Sequence, residues 1–64
     1  MKFIVINHVD KLWPQHNGPI AIRVDQIILV GPGDDGGTRI NIGVSTLNAS
    51  ESFDEVMQRI REAV

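Results

Sequence analysis

The stretch that decides the fold is GPGDDGG, residues 31–37. Its glycines follow the spacing G-x-G-x-x-G, which in dinucleotide-binding domains lies between a strand and a helix. Here it lies between the apolar run Ile27–Val30 and the alternating segment Thr38–Val44, so a strand precedes and follows it. The charges of Asp34-Asp35 would also repel a phosphate. Because glycine adopts positive φ readily and Asp-Gly is typical of tight turns, the stretch predicts an antiparallel hairpin.

The first strand is predicted over Lys2–Val9 (KFIVINHV), which is rich in β-branched residues. Both of its faces are apolar, with Phe3 and Val5 on one side and Ile4 and Ile6 on the other. We therefore expect both faces to be covered.

Three further segments have strand character. In Ile20–Val24, after Pro19, large apolar residues alternate with Ala21 and Arg23. The pair Asp25-Gln26 then predicts a bend or bulge before Ile27–Val30. A short strand at Thr46–Ala49 is the weakest prediction.

The carboxyl end changes to a helical period. Ser52 and Glu55 form a capping-box pattern, in which each side chain binds a free N–H of the first turn. Apolar residues recur on one face of the predicted helix: Phe53, Val56, Met57, Ile60 and Val64.

The chain length of 64 residues predicts one domain, spanning 1–64. We expect an α+β fold, a strongly twisted antiparallel sheet of four or five strands, barrel-like, with the C-terminal helix on one face. Cysteine is absent, so disulfides and thiolate metal sites are excluded. Because one short helix covers only part of a sheet face, we expect a homo-oligomer.

Composition argues against nucleic-acid binding and against membrane insertion. The net charge of −2 supplies no general attraction to nucleic acid, so we expect no nucleic-acid partner. No apolar run approaches the roughly 20 residues of a membrane span, and no signal peptide is recognisable, so we expect a cytoplasmic protein without membrane insertion.

Chemistry-bearing motifs are absent from the sequence. His8 and His16 lack further ligands at a metal-site spacing. No G-x-S-x-G elbow or cysteine nucleophile exists, and adjacent aspartates on a turn lack the apolar pocket that separates catalytic pKa values. We therefore predict no catalytic residue, no metal and no cofactor, and a protein that is not an enzyme.

The loop of residues 10–18 carries Leu12 and the only tryptophan, Trp13. This pair either caps an open end of the core or is displayed to a partner, and in so small a domain we favour core-capping. If the loop is displayed, Leu12, Trp13 and His16 are the candidate contact residues for another protein.

The segment ESFDEV, residues 51–56, with Gly37-Thr38 and Leu47 before it, resembles the FlbD-like family of small flagellar and swarming-motility proteins. The likeness spans about residues 19–60. It implies a small sheet and helix that act by contacting other proteins.

RINIGV (39–44) and EVMQRI (55–60) also resemble segments of the carbon storage regulator family, which are small dimeric RNA-binding proteins. This resemblance implies RNA binding, for which Lys2, Arg23 and Arg39 are the candidates. We predict a non-enzymatic protein-protein interaction module that acts as a homo-oligomer and binds an unidentified protein, with post-transcriptional RNA regulation as the alternative.

Overall fold

A computed structural model describes residues 1–64. The chain forms an α+β unit of five strands and one α-helix: β1 (Phe3–His8), β2 (Gly18–Arg23), β3 (Leu29–Pro32), β4 (Thr38–Asn41), β5 (Thr46–Ala49) and α1 (Phe53–Ala63). Short 3-10 turns occupy Pro14–His16, Val24–Gln26 and Asp34–Gly36. The α+β prediction is confirmed, including the weakly signalled fifth strand.

The sheet is fully antiparallel in the order β2-β1-β5-β4-β3. The two hairpins, β1–β2 and β3–β4, are joined through β5, which pairs with β1 only around His8 and Ala49. β2 and β3 are free edges, so the sheet is open and the predicted barrel-like closure is wrong.

The glycine stretch forms the turn of the β3–β4 hairpin, as predicted. Gly31 pairs with Arg39, and the Gly33 N–H donates to the Gly37 carbonyl at 2.9 Å. Asp35 and Gly36 adopt positive φ values of 55° and 79°, in the left-handed region that the turn requires.

β4 is shorter than predicted. The Asn41 side-chain oxygen accepts a hydrogen bond from the Gly43 N–H at 2.7 Å, and Gly43 has a φ of 94°. This local turn ends the strand. Ile40 is buried as the alternation predicts, whereas Val44 is almost fully exposed.

β3 begins later than predicted because the chain bulges before it. The Ile28 N–H donates to the Asn41 carbonyl at 2.8 Å, although Asn41 is paired with Leu29. Two residues therefore face one across the hairpin, which is the arrangement of a β-bulge. The predicted bend at Asp25-Gln26 is confirmed as a 3-10 turn.

α1 starts at the predicted cap. The Glu55 N–H donates to the Ser52 hydroxyl oxygen at 3.3 Å, while that hydroxyl lies 3.4 Å from the Glu55 carboxylate. Val56 is fully buried, and the helix packs against β1 and β3. None of the helical segments has the length and apolarity that crossing a bilayer demands.

The core lies between α1 and one face of the sheet. Register pairs Ile4 with Ile22 and Ile6 with Ile20, which places these isoleucines on the helix side. Within one chain only one face of β1 is covered, because Phe3 is 50% exposed and Val5 is 55% exposed on the opposite face. Cover of that second face stays a prediction that belongs to the expected homo-oligomer. The buried apolar residues are few: Ile4, Ile6, Ile22, Ile40, Ala49 and Val56.

Candidate protein-interaction site

The loop between β1 and β2 is held at its base by two polar side chains. One carboxylate oxygen of Asp10 accepts hydrogen bonds from the N–H groups of Leu12 and Trp13, at 2.9 and 3.0 Å. The Asp10 N–H in turn donates to the Asn17 side-chain oxygen at 2.6 Å. Such short-range aspartate contacts fix a turn without secondary structure. The loop is therefore held in a defined conformation by its own hydrogen bonds.

The second half of the loop is a single 3-10 turn, Pro14–His16. The His16 N–H donates to the Trp13 carbonyl at 2.9 Å, and the two rings stack with centroids 6.4 Å apart. The Nδ1 of His8 lies 3.2 Å from the His16 carbonyl, which ties the loop to the end of β1. Because a carbonyl can only accept, this contact requires the proton of His8 on Nδ1.

The loop displays its apolar side chains. Leu12 is 84% exposed and Trp13 is 56% exposed, so the favoured core-capping interpretation is wrong and the alternative of display describes the structure. The hydrogen bonds of Asp10 to the N–H groups of Leu12 and Trp13 hold the loop in this exposed conformation. Leu12, Trp13 and His16 lie within one short segment, which we call the Trp13 loop (residues 10–17).

Beside the Trp13 loop lies an open cleft of about 430 Å³. One wall is formed by His8, Lys11 and Leu12, and the tip of the β3–β4 hairpin forms the other. The Lys11 ammonium lies 3.3 Å from an Asp35 carboxylate oxygen, and both groups are exposed. An exposed pair of this kind contributes little stability. The structure contains no group of three side chains suited to hold a metal ion.

The three RNA-binding candidates do not converge. Arg23 on β2 and Arg39 on β4 are three inter-strand steps apart, roughly 14 Å. Arg23 faces Phe3, whereas Arg39 faces Asn48, whose carbonyl binds the N–H of Val9. Phe3 and Val9 are six residues apart, which separates the two arginines by roughly a further 20 Å along the strand direction. Arg23 and Arg39 therefore form no common patch.

The charge of Arg23 is also paired with the carboxylate of Asp25. Its guanidinium contacts Asp25 through two hydrogen bonds, Nε to Oδ1 at 3.1 Å and Nη2 to Oδ2 at 2.8 Å. A paired guanidinium presents less net charge to a phosphate. Lys2 lies at the start of β1, where its carbonyl accepts from the Val24 N–H, and so it shares an end of the sheet with Arg23 alone.

Glu51 is a buried carboxylate that links β1 to α1. The side chain of Glu51 is 5% exposed. It accepts from the backbone N–H of Asn7 at 3.0 and 3.1 Å, from the Asn7 amide at 3.0 Å, and from Arg59 at 2.6 Å. The same Arg59 nitrogen donates to the Val5 carbonyl at 2.8 Å. Glu51 and Arg59 thus satisfy the edge of β1 where β5 no longer pairs with it.

The backbone of Glu51 adds a further link. Its carbonyl accepts from the buried Thr38 hydroxyl at 2.7 Å. One residue therefore joins β1, β4 and α1. We call Glu51, Arg59, Asn7 and Thr38 the Glu51 cluster.

Burial acts to raise the pKa of Glu51, but hydrogen bonds from the Asn7 N–H and from Arg59 outweigh it, and the pKa lies below its ordinary value of 4.5. A carboxyl whose pKa is lowered by folding stabilises the folded state above its unfolded pKa. That stabilisation is lost as the pH falls through the folded pKa.

The free energy of unfolding should accordingly fall as the pH is lowered below about 4.5, the ordinary pKa of Glu51. Glu51→Gln removes the titrating group and is the matched control. The difference in stability between wild type and Glu51→Gln should be constant from pH 7 to 5 and shrink in more acidic solution. Urea titrations at several pH values measure it, and a difference independent of pH would contradict the assignment.

Sequence reasoning missed the Glu51 cluster. Glu51 directly precedes the Ser52 cap and reads as an exposed acidic residue of a helix start. Its partner Asn7 lies 44 residues earlier in the chain, so no local pattern links the two. The available signal was weak: an acidic residue before the helix and Arg59 two turns later.

No family model, curated protein or solved structure matches this chain significantly. The resemblances to FlbD-like and carbon storage regulator proteins therefore stay predictions.

Proposed function

We propose that this protein is a non-enzymatic protein-protein interaction module of the cytoplasm that acts as a homo-oligomer. The observation that carries the proposal is the set of apolar side chains left outside the small core. Phe3 and Val5 lie on the uncovered face of β1, and Leu12 and Trp13 lie on the Trp13 loop. Phe3 and Val5 are neighbours on one strand face, as Leu12 and Trp13 are on the loop, and adjoining exposed apolar groups are typical of contact surfaces.

The Trp13 loop is the proposed contact for a second protein. Its hydrogen bonds at Asp10 and Asn17 fix the loop before binding, so little ordering entropy is lost on association. Tryptophan is enriched among the residues that dominate binding energies. The neighbouring cleft gives a partner chain a polar rim around Leu12.

RNA binding of the carbon storage regulator type is the alternative. The exposed Arg39 on the uncovered sheet face favours it, and the separation of Arg39 from Arg23 argues against it. Binding through phosphates would fall steeply with salt. A labelled RNA that binds at physiological salt, and binds less in Arg39→Ala, would establish this alternative.

Trp13→Ala should leave the fold nearly as stable as wild type, within about 1 kcal/mol, because the side chain is more than half exposed. A core-capping tryptophan would cost about 3–5 kcal/mol. Urea denaturation followed by circular dichroism distinguishes the two values. A loss in the larger range would place Trp13 in the core and move the contact site elsewhere.

The function itself is tested with three immobilised proteins: wild type, Trp13→Ala and Gln15→Ala. Gln15 is an exposed polar residue of the same loop, so its variant is the matched control. We expect a discrete protein that binds wild type and Gln15→Ala but not Trp13→Ala. If all three immobilised proteins retain the same bound protein equally, the Trp13 loop is excluded as the contact.

A further inference from the structure

The outer edge of β2 carries unpaired backbone groups. Val24 donates its N–H to the Lys2 carbonyl at 2.9 Å, and Phe3 faces Arg23 in the register of β1 with β2. Along an antiparallel strand, the N–H and C=O groups of successive residues point alternately toward one neighbouring strand and toward the other side. The N–H and C=O groups of Ala21 and Arg23 therefore point away from β1. No strand lies on that side, because β2 ends the sheet.

The two edges of the sheet differ in their protection. β3 has four residues, begins at the bulge and ends at Pro32, which has no N–H. β2 has six residues, and its proline, Pro19, stands near its beginning. The segment from Ile20 to Arg23 is consequently a longer and less interrupted template for a further strand.

We propose that β2 forms the interface of a two-fold homodimer in which the two β2 strands pair antiparallel about Ala21. The inference rests on the proposed homo-oligomer and specifies its surface. Ala21 exchanges N–H and C=O bonds with the partner's Ala21, and the Arg23 N–H of each chain donates to the Pro19 carbonyl of the other. Proline has no N–H, so the Arg23 carbonyl of each chain, at the end of the pairing, is left to solvent.

The side chains fit the same register. On the core face, Ile20 lies opposite the partner's Ile22 at a non-hydrogen-bonded position, where side chains approach most closely. Ile20 is only half-buried within one chain, so the pairing extends the core across the interface. On the other face, Arg23 lies opposite the partner's Pro19. No like charges meet along the paired strands.

The size of the edge sets the strength of the dimer. Six residues of strand extend about 20 Å. Such an edge buries less than the roughly 800 Å² that each partner contributes to a stable complex, which would be about a fifth of the 4380 Å² surface of this chain. The dimer is therefore reversible and dissociates on dilution.

A single cysteine tests the register, since the chain has none of its own. Hydrogen-bonded antiparallel partners have Cα atoms about 5.5 Å apart, within the range that a disulfide spans. Ala21→Cys should form a covalent dimer under mild oxidation at concentrations where wild type associates. Leu29→Cys, on the exposed start of β3, is the matched control and should remain mostly monomeric. Equal cross-linking of both variants would overturn the proposal.

A charge exchange gives an independent readout. Ala21→Lys and Ala21→Glu each place like charges opposite one another across the interface and should weaken self-association about tenfold. An equimolar mixture of the two should restore dimers, because the charges are then opposite. Dimerisation of each variant at the wild-type strength would exclude the β2 interface while leaving the homo-oligomer intact. A wild type that is monomeric at every concentration would exclude both.

Discussion

Glu51→Ala is expected to lower the free energy of unfolding by about 3 kcal/mol, the lower end of the range for breaking a buried ion pair. The lower end applies because the side chain of Arg59 is 39% exposed and regains water when its partner is removed. The N–H of Asn7 also loses its acceptor. A chain of 64 residues has a total stability of roughly 3–10 kcal/mol, so this loss is a large fraction of it.

Urea denaturation measures the effect, with Glu62→Ala as the control. Glu62 is an exposed glutamate of the same helix, and its loss should change stability by less than about 0.5 kcal/mol. Equal stabilities of the two variants would show that the Glu51 cluster does not hold the fold together.

Gly37→Ala is the second substitution with a large expected effect. A Cβ at this position would collide with the carbonyl oxygen of Ala49. The backbone of Gly37 has φ −82°, which any residue adopts, so the penalty arises from strand contact alone. Because neither backbone can move without opening the pairing of β4 with β5, we expect a loss of about 3 kcal/mol or more.

Gly31→Ala provides the comparison within the same hairpin. A Cβ at Gly31 meets no atom within 4 Å, and its φ is not positive. Alanine there should leave stability unchanged or raise it by about 0.4–1 kcal/mol, because the unfolded chain loses freedom. If thermal denaturation finds the two alanine variants alike, the close approach of Gly37 to Ala49 does not govern the fold.

The elements that the sequence predicted well depend on neighbouring residues. The hairpin turn follows from the Asp35-Gly36 pair, whose positive φ values are a local property. The helix start follows from Ser52 and Glu55, three residues apart. Such signals act over one turn of chain and need no tertiary partner.

The features that the sequence did not predict depend on distant contacts or on a choice between similar faces. β1 is apolar on both sides, so alternation could not tell whether Ile4 or Phe3 faces the helix. That choice is made by the register with β2 and by the position of Val56. Trp13 lies exposed on a loop that the hydrogen bonds of Asp10 hold, and composition does not reveal on which side of the loop it lies.

The scaffold and the proposed contacts are connected through the small core. Six buried apolar residues and the Glu51 cluster hold β1 in place, and β1 carries the Trp13 loop at its end. Within one chain, the outer edge of β2 and the uncovered face of β1 have no partner. The proposed association with a second copy uses the free edge of β2.

The most direct test of the proposed homo-oligomer is the solution mass of the wild-type protein, measured by light scattering across a dilution series. We predict twice the mass of a single chain at the highest concentrations and a decline toward one chain on dilution. A folded protein with the mass of one chain at every concentration would contradict the account.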